Sequence, residues 1–150
     1  MIRVQESDFD VGTELARLAT DCTDIGGVAT FLGFVRGQVG GIPLITMTLE
    51  HYPGMTERQL TAIEATAKRR WQLYDTLIVH RVGQLRPGER IVLVATAAHH
   101  RAAAFEACQF LIDWLKTHVT LWKLEETAHG SSWVESRAAD ITAKNRWNSK

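Results

Sequence analysis

Cysteine is scarce in this sequence: Cys22 and Cys108 stand far apart, and neither has a CxxC or CxxH neighbour. That excludes a disulfide framework and a zinc motif of the usual spacing. No run of about 18 apolar residues occurs, so no membrane-spanning helix is expected. The N-terminal stretch, with acidic Glu6, Asp8 and Asp10 and no long apolar run, predicts no signal peptide. Charge of one sign is not in excess either, with 17 basic residues against 17 acidic ones. No overall field therefore draws the chain to duplex nucleic acid or anionic lipid, and any recognition of anions must be local. Also missing are a serine or cysteine nucleophile elbow, a phosphate loop, a dinucleotide fingerprint and histidines at metal-ligand spacing. His99 and His100 are adjacent, so on a strand they would project to opposite faces and could not hold one ion together. The expectation is a cytoplasmic protein with no resident metal or cofactor.

The 150 residues suffice for one domain with a core of its own, and no repeat, low-complexity segment or linker divides them. Residues 2–5 alternate as a short strand, and Asp8 or Asp10 can cap a helix carrying Val11, Leu15 and Leu18. Gly27 to Val35 reads as a strand buried on both faces or nearly so, joined through glycine-rich 37–41 to a strand from Ile42 to Tyr52 in a hairpin. Thr56 is the expected cap of a helix bearing Leu60, Ile63, Ala67 and Trp71. Two strands, Thr76 to Leu85 and Arg90 to Ala98, flank the Pro87-Gly88 turn. A helix from Arg101, a short strand from Leu121 to Thr127, a turn at Gly130-Ser131-Ser132, an extended Trp133-Val134-Glu135 and a last helix opened by Ser136 or Asp140 complete the chain. Residues 145–150 read as a frayed tail. The order βαββαββαβα predicts a single α+β domain with a mainly antiparallel sheet and helices packed on it.

The helix after His99-His100-Arg101 holds the most informative pattern. Phe105, Cys108, Leu111, Ile112 and Leu115 recur at three- and four-residue steps, predicting one buried stripe with Cys108 as a small core residue. Arg101 and Lys116 fall on the same side as Phe105, Cys108 and Ile112. A cation at each end of a buried stripe suggests an anionic partner there, because an unpaired buried charge costs several kcal/mol. The bland alternative is that both stems lie on apolar surface while the charges reach water. Fifteen residues of helix separate the two by about 22 Å. One small ligand cannot touch both, so there are two anion sites, or two copies of the chain pair with one copy's Arg101 end facing the other's Lys116 end. Arg36, His100, Arg101, Lys116, Lys123 and Arg137 together suit a phosphorylated substrate or a carboxylate. A lysine partly buried on such a stripe can serve as acid, base or nucleophile, which singles out Lys116.

The runs Leu49-Glu50-His51-Tyr52-Pro53-Gly54-Met55-Thr56, His80-Arg81-Val82-Gly83, His100-Arg101-Ala102-Ala103-Ala104-Phe105-Glu106-Ala107, Leu115-Lys116 and Trp122-Lys123-Leu124-Glu125 are similar, in order and spacing, to the large, catalytic subunit of molybdopterin synthase. The resemblance spans nearly the whole chain. It implies an α/β hammerhead-like fold and a homodimer flanked by two small ubiquitin-like subunits in a heterotetramer. The C-terminal Gly-Gly thiocarboxylate of each small subunit then delivers sulfur twice to cyclic pyranopterin monophosphate, giving the dithiolene of molybdopterin.

Carried over by residue, the resemblance makes Lys116 and Lys123 the catalytic lysines. It assigns substrate binding to Phe34, Val35, Arg36, His100, Arg101, Lys116, Lys123, Leu124, Glu125 and Arg137, with the His-Arg pair reaching into the other copy's pocket. Two departures from the family pattern bear on affinity more than on reaction type: Ala98 followed by an extra His99 where many relatives carry a serine, and Leu124 where a second basic residue often follows Trp-Lys. Two rivals remain, a non-catalytic dimeric scaffold that binds the small subunit's tail or a phosphorylated metabolite, and a phosphate-ester hydrolase, which lacks a metal constellation or nucleophile motif.

Overall fold

The computed structural model describes residues 1–18, 22–134 and 138–147. The strands form two sheets. The first has the order β1 (Ile2–Gln5), β5 (Asp75–Arg81), β7 (Arg90–Ala98), β2 (Gly27–Phe34); the second runs β3 (Gln38–Val39), β4 (Ile42–His51), β8 (Leu121–Thr127), β9 (Gly130–Val134), with β6 (Gly83–Leu85) also paired to β4. Pairing is antiparallel throughout except between β1 and β5. Helices α1 (Val11–Leu18), α2 (Met55–Trp71), α3 (Arg101–His118) and α4 (Ala138–Asn145) complete the α+β domain.

The chain passes between the two sheets at three short links, β2 to β3, β5 to β6 and β6 to β7, and the tightest is the step from β5 to β6. The expected strand from Thr76 to Leu85 is broken at Val82-Gly83: β5 stays in the first sheet, and β6 crosses to pair its Leu85 with Met47 of β4. Gly83 sits at φ 84°, a conformation that side chains with a Cβ rarely adopt, so glycine permits the crossing. The expected hairpin between the strand from Gly27 and the strand from Ile42 does not form. β2 pairs instead with β7, while β4 turns back through Gly40-Gly41 onto Gln38-Val39. Nor is β2 buried on both faces. It is an edge strand, with Val28 39%, Phe31 36% and Phe34 51% exposed.

Smaller expectations divide the same way. Asp10 caps α1 by accepting from the Thr13 N–H at 2.8 Å. Thr56 does not cap α2. It lies inside the helix, fully buried, accepting from Tyr52 N–H and donating to the Thr120 carbonyl, while Glu57 accepts from the Gly54 N–H at 2.6 Å. Gly130-Ser131-Ser132 is strand rather than turn, because the chain reverses just before it.

Helix α3 lies on the first sheet through small residues. Its buried face is Ala104, Ala107, Cys108, Leu111 and Leu115, and Phe105, expected on that face, is 66% exposed. Alanines let the helix approach closely enough for Thr96 Oγ1 to donate to the Ala104 carbonyl at 2.7 Å. Cys108 is the expected core residue, and burial pushes its thiol up to about 11, which keeps it protonated.

The expected frayed tail is held down at least to Trp147, which is 7% exposed, packs edge-on against Trp71 and Phe110, and donates from Nε1 to Asp113 Oδ2 at 2.8 Å. Residues 148–150 lie outside the described residues. Trp147→Ala should therefore cost about 3–5 kcal/mol and lower the thermal midpoint by about 10 °C, measured by calorimetry. An unchanged midpoint would return this segment to the status of a tail.

Candidate active site

Between the sheets, under the C-terminal half of α3, lies a cavity of about 540 Å³. Its apolar walls come from Phe31 and Phe34 of β2, Met47 of β4, Ile91 and Val92 of β7 and Ile112 and Leu115 of α3. Five charged side chains and one histidine enter it: Arg36, Lys116, Lys123, Glu125, Asp140 and His80. Cations thus outnumber carboxylates three to two in a space whose wall mixes polar and apolar surface, where opposite charges attract more strongly than in bulk water.

Local structure explains each placement. Strand alternation turns Lys123 and Glu125 to the inner face of β8, opposite Leu49 and Met47, and turns Trp122 and Leu124 outward, leaving Trp122 47% exposed. Glu125 is 7% exposed. Arg36 follows the end of β2, where Val35 is tied by its N–H to the Glu89 carbonyl and by its carbonyl to the Gly88 N–H. Lys116, in the last turn of α3, is more open than a core stripe implied: its side chain is 42% exposed and its Nζ lies 3.9 Å from Asp140 Oδ1 in the first turn of α4. An ion pair so exposed adds at most about 1 kcal/mol to stability, so its interest is positional.

Of the residues singled out from sequence, the structure brings Phe34, Arg36, Lys116, Lys123 and Glu125 to one cavity. Val35 is buried beside it and Leu124 faces away. His100 and Arg101 stand at the far end of α3, where His100 lines a separate hollow of about 430 Å³ with Trp71, Tyr74 and His99. Arg137 lies outside the described residues.

Two cavity residues were missed. Asp140 looked like a helix opener, and its partner Lys116 is twenty-four positions away. His80 was noticed only within a run of sequence, although it is 2% exposed and lines the cavity. Its one available signal was a histidine directly after the apolar run Leu77-Ile78-Val79.

The His80 ring has one defined state. Nδ1 lies 2.7 Å from the Arg81 carbonyl, which can only accept, so Nδ1 carries the proton and Nε2 is left as an acceptor. Burial, opposed by that hydrogen bond and reinforced by the charges of Lys123 and His51, lowers the imidazole from 6.5 to about 4.

The comparisons with known proteins bear on this geometry. A sequence model of a family described as MoaE protein matches residues 4–118. The chain belongs to the MoaE family. A MoaE relative from Ralstonia nicotianae (strain GMI1000), named molybdopterin synthase catalytic subunit, is 51% identical over 146 residues, covering 97% of this chain and 83% of its own. One of the same name from Pseudomonas aeruginosa (strain PAO1) is 50% identical, covering 97% of both. Among solved structures, the molybdopterin biosynthesis MoaE protein from Burkholderia ambifaria MC40-6 superposes with a TM-score of 0.85 at 47% identity, over 99% of this chain and 97% of that one. The cavity therefore lies in a fold that MoaE relatives share over nearly their whole length.

The His80 imidazole links stability to pH. Its folded value lies below its unfolded one, so its contribution is complete above about pH 6.5 and is lost as pH falls towards 4. Between pH 7 and 4.5 this one group should cost the native state about 2–3 kcal/mol. Urea titrations at the two pH values should show a smaller loss for His80→Phe than for the wild type. Equal losses would show that the ring titrates normally.

Proposed function

We propose that this chain is the catalytic subunit of a molybdopterin synthase. It transfers sulfur from the C-terminal Gly-Gly thiocarboxylate of a small ubiquitin-like subunit to cyclic pyranopterin monophosphate, twice, to form the dithiolene of molybdopterin in molybdenum cofactor biosynthesis. The observation that carries this reading is the convergence of Lys116, Lys123 and Arg36 in one cavity, in a chain half identical to proteins of that name.

The donor brings the reactive sulfur, so the protein needs to supply position, charge and protons rather than a thiol or a metal. Arg36 offers a forked guanidinium to the phosphate. Lys116 acts on the thiocarboxylate or on the substrate carbon under attack, and Lys123 supplies charge and proton transfer beside it. Each transfer makes a C–S bond and breaks a C–O bond at the substrate carbon, and water cleaves the tail's acyl–sulfur bond, leaving the sulfur on the substrate and the tail as a carboxylate.

His100 and Arg101 serve the same site in another copy. A single straight α3 holds Arg101 about 22 Å from Lys116, so a homodimer that sets the two ends against each other completes the pocket. Exposed Val28, Phe31 and Phe34 on the edge strand β2, and Phe105 on α3 beside it, offer apolar surface for such pairing. With one small subunit at each end this gives a heterotetramer. Arg137 adds a further basic contact, and the reaction takes place in the cytoplasm.

The test is the mass of the product formed when the purified chain is mixed with cyclic pyranopterin monophosphate and a thiocarboxylated partner. The wild type should add two sulfurs, and Lys116→Ala should lower the rate by about a hundredfold or more. Full turnover by Lys116→Ala would remove that lysine from the chemistry. A wild type that binds the partner yet adds no sulfur would make the chain a scaffold.

A further inference from the structure

His80 is a buried, titratable group inside the cavity to which the proposed reaction assigns no task. It alternates with Ile78 on β5, so its ring points away from the face of Leu77 and Val79 that packs beneath α1, and into the space between the sheets. The crossing at Gly83 places it beside β4, whose other neighbour is β8, the strand bearing Lys123 and Glu125. Lys123 acts on the ring electrostatically, as does His51 from the end of β4. Among the described residues, the polar groups lining the cavity divide into donors, Arg36, Lys116 and Lys123, and acceptors, the carboxylates of Glu125 and Asp140 and the imidazole of His80.

These acceptors differ in kind. A carboxylate near a lysine neutralises it, and it also competes with an anionic substrate for the same cation. A neutral imidazole accepts one hydrogen bond and leaves the positive charge in place. With Nδ1 committed to the Arg81 carbonyl at 2.7 Å, the ring cannot rotate to offer a donor, and only Nε2 remains available.

We propose that His80 is a positioning residue for Lys123: its Nε2 accepts one hydrogen from the Lys123 ammonium, with or without substrate, and so aims the remaining N–H groups at the reacting group. Lys123 touches the substrate, and His80 acts through it. The effect on turnover rests on the sulfur-transfer reading. The contact between the two side chains does not.

Two variants and one spectrum test it. His80→Phe keeps the ring volume without an acceptor, and His80→Gln keeps an acceptor near the place of Nε2. The Phe variant should lower kcat about ten- to a hundredfold with KM within about threefold, as expected for loss of a hydrogen bond to a charged group, while Gln recovers part of the loss. The high-pH limb of the kcat profile should also move to lower pH in the Phe variant, because the acceptor favours the charged amine. Wild-type kcat and an unshifted profile in His80→Phe would overturn the proposal.

Long-range proton–nitrogen spectra of the 15N-labelled wild type need neither substrate nor a folded His80 variant. They should show Nδ1 protonated and Nε2 unprotonated from pH 6 to 8, with the Nε2 resonance moving in Lys123→Gln. A protonated Nε2, or one indifferent to Lys123→Gln, would overturn the proposal even if the wild type is active. A wild type that forms no product would instead strike at the sulfur-transfer reading, and the spectra would still decide the contact.

Discussion

The crossing of the chain from one sheet to the other at Val82-Gly83 is the constraint on which the rest of the structure depends. Because β5 and β6 are one run of chain, the two sheets cannot slide or separate without breaking the pairing of β5 with β7 or of β6 with β4. Glycine at φ 84° makes the turn possible, and the space left between the sheets becomes the cavity. The same crossing brings His80, at the end of one sheet, near Lys123 and Glu125, on the inner face of the other. The site follows from how the sheets are joined.

Helix α3 is the second constraint. It runs unbroken over eighteen residues, and its alanine face fixes it on the first sheet. That position delivers Lys116 to the mouth of the cavity and takes His100 and Arg101 away from it. A reaction that needs all three must therefore borrow one end from another copy. Helix α4 closes the other side. Asp140 meets Lys116 there, and Trp147 anchors the segment to Asp113 through a hydrogen bond buried among aromatic rings. A helix that would otherwise hang from β9 is thereby fixed over the site.

Sequence reasoning read the parts that depend on neighbouring residues. Leu121 to Thr127 announced the strand β8 that carries Lys123 and Glu125, Asp10 announced the start of α1, and the apolar run 90–98 announced β7. It failed where the partner is distant. Gly27–Phe34 and Ile42–His51 looked like a hairpin because they are adjacent in sequence, yet each finds a better partner more than forty residues away in β7 or β8. Phe105 outweighed Ala104 and Ala107 in judging the buried face of α3, because hydrophobicity favours bulk where packing against the sheet needed smallness. The roles of Trp147 and His80 were missed for the same reason: they are set by Asp113 and by a cavity that no local pattern encodes.

The claim most exposed to failure is that one pocket is built from two copies of the chain. It is tested most directly by mixing Arg101→Ala and Lys116→Ala chains, unfolded and refolded together, and measuring dithiolene formation. If Arg101 of one copy serves Lys116 of the other, each mixed dimer regains one intact site. The two inactive variants together should then recover about a quarter of wild-type activity. If the mixture stays as inactive as its parents while wild-type chains refolded alongside recover full activity, Arg101 and Lys116 do not meet across a dimer, and the composite pocket is wrong.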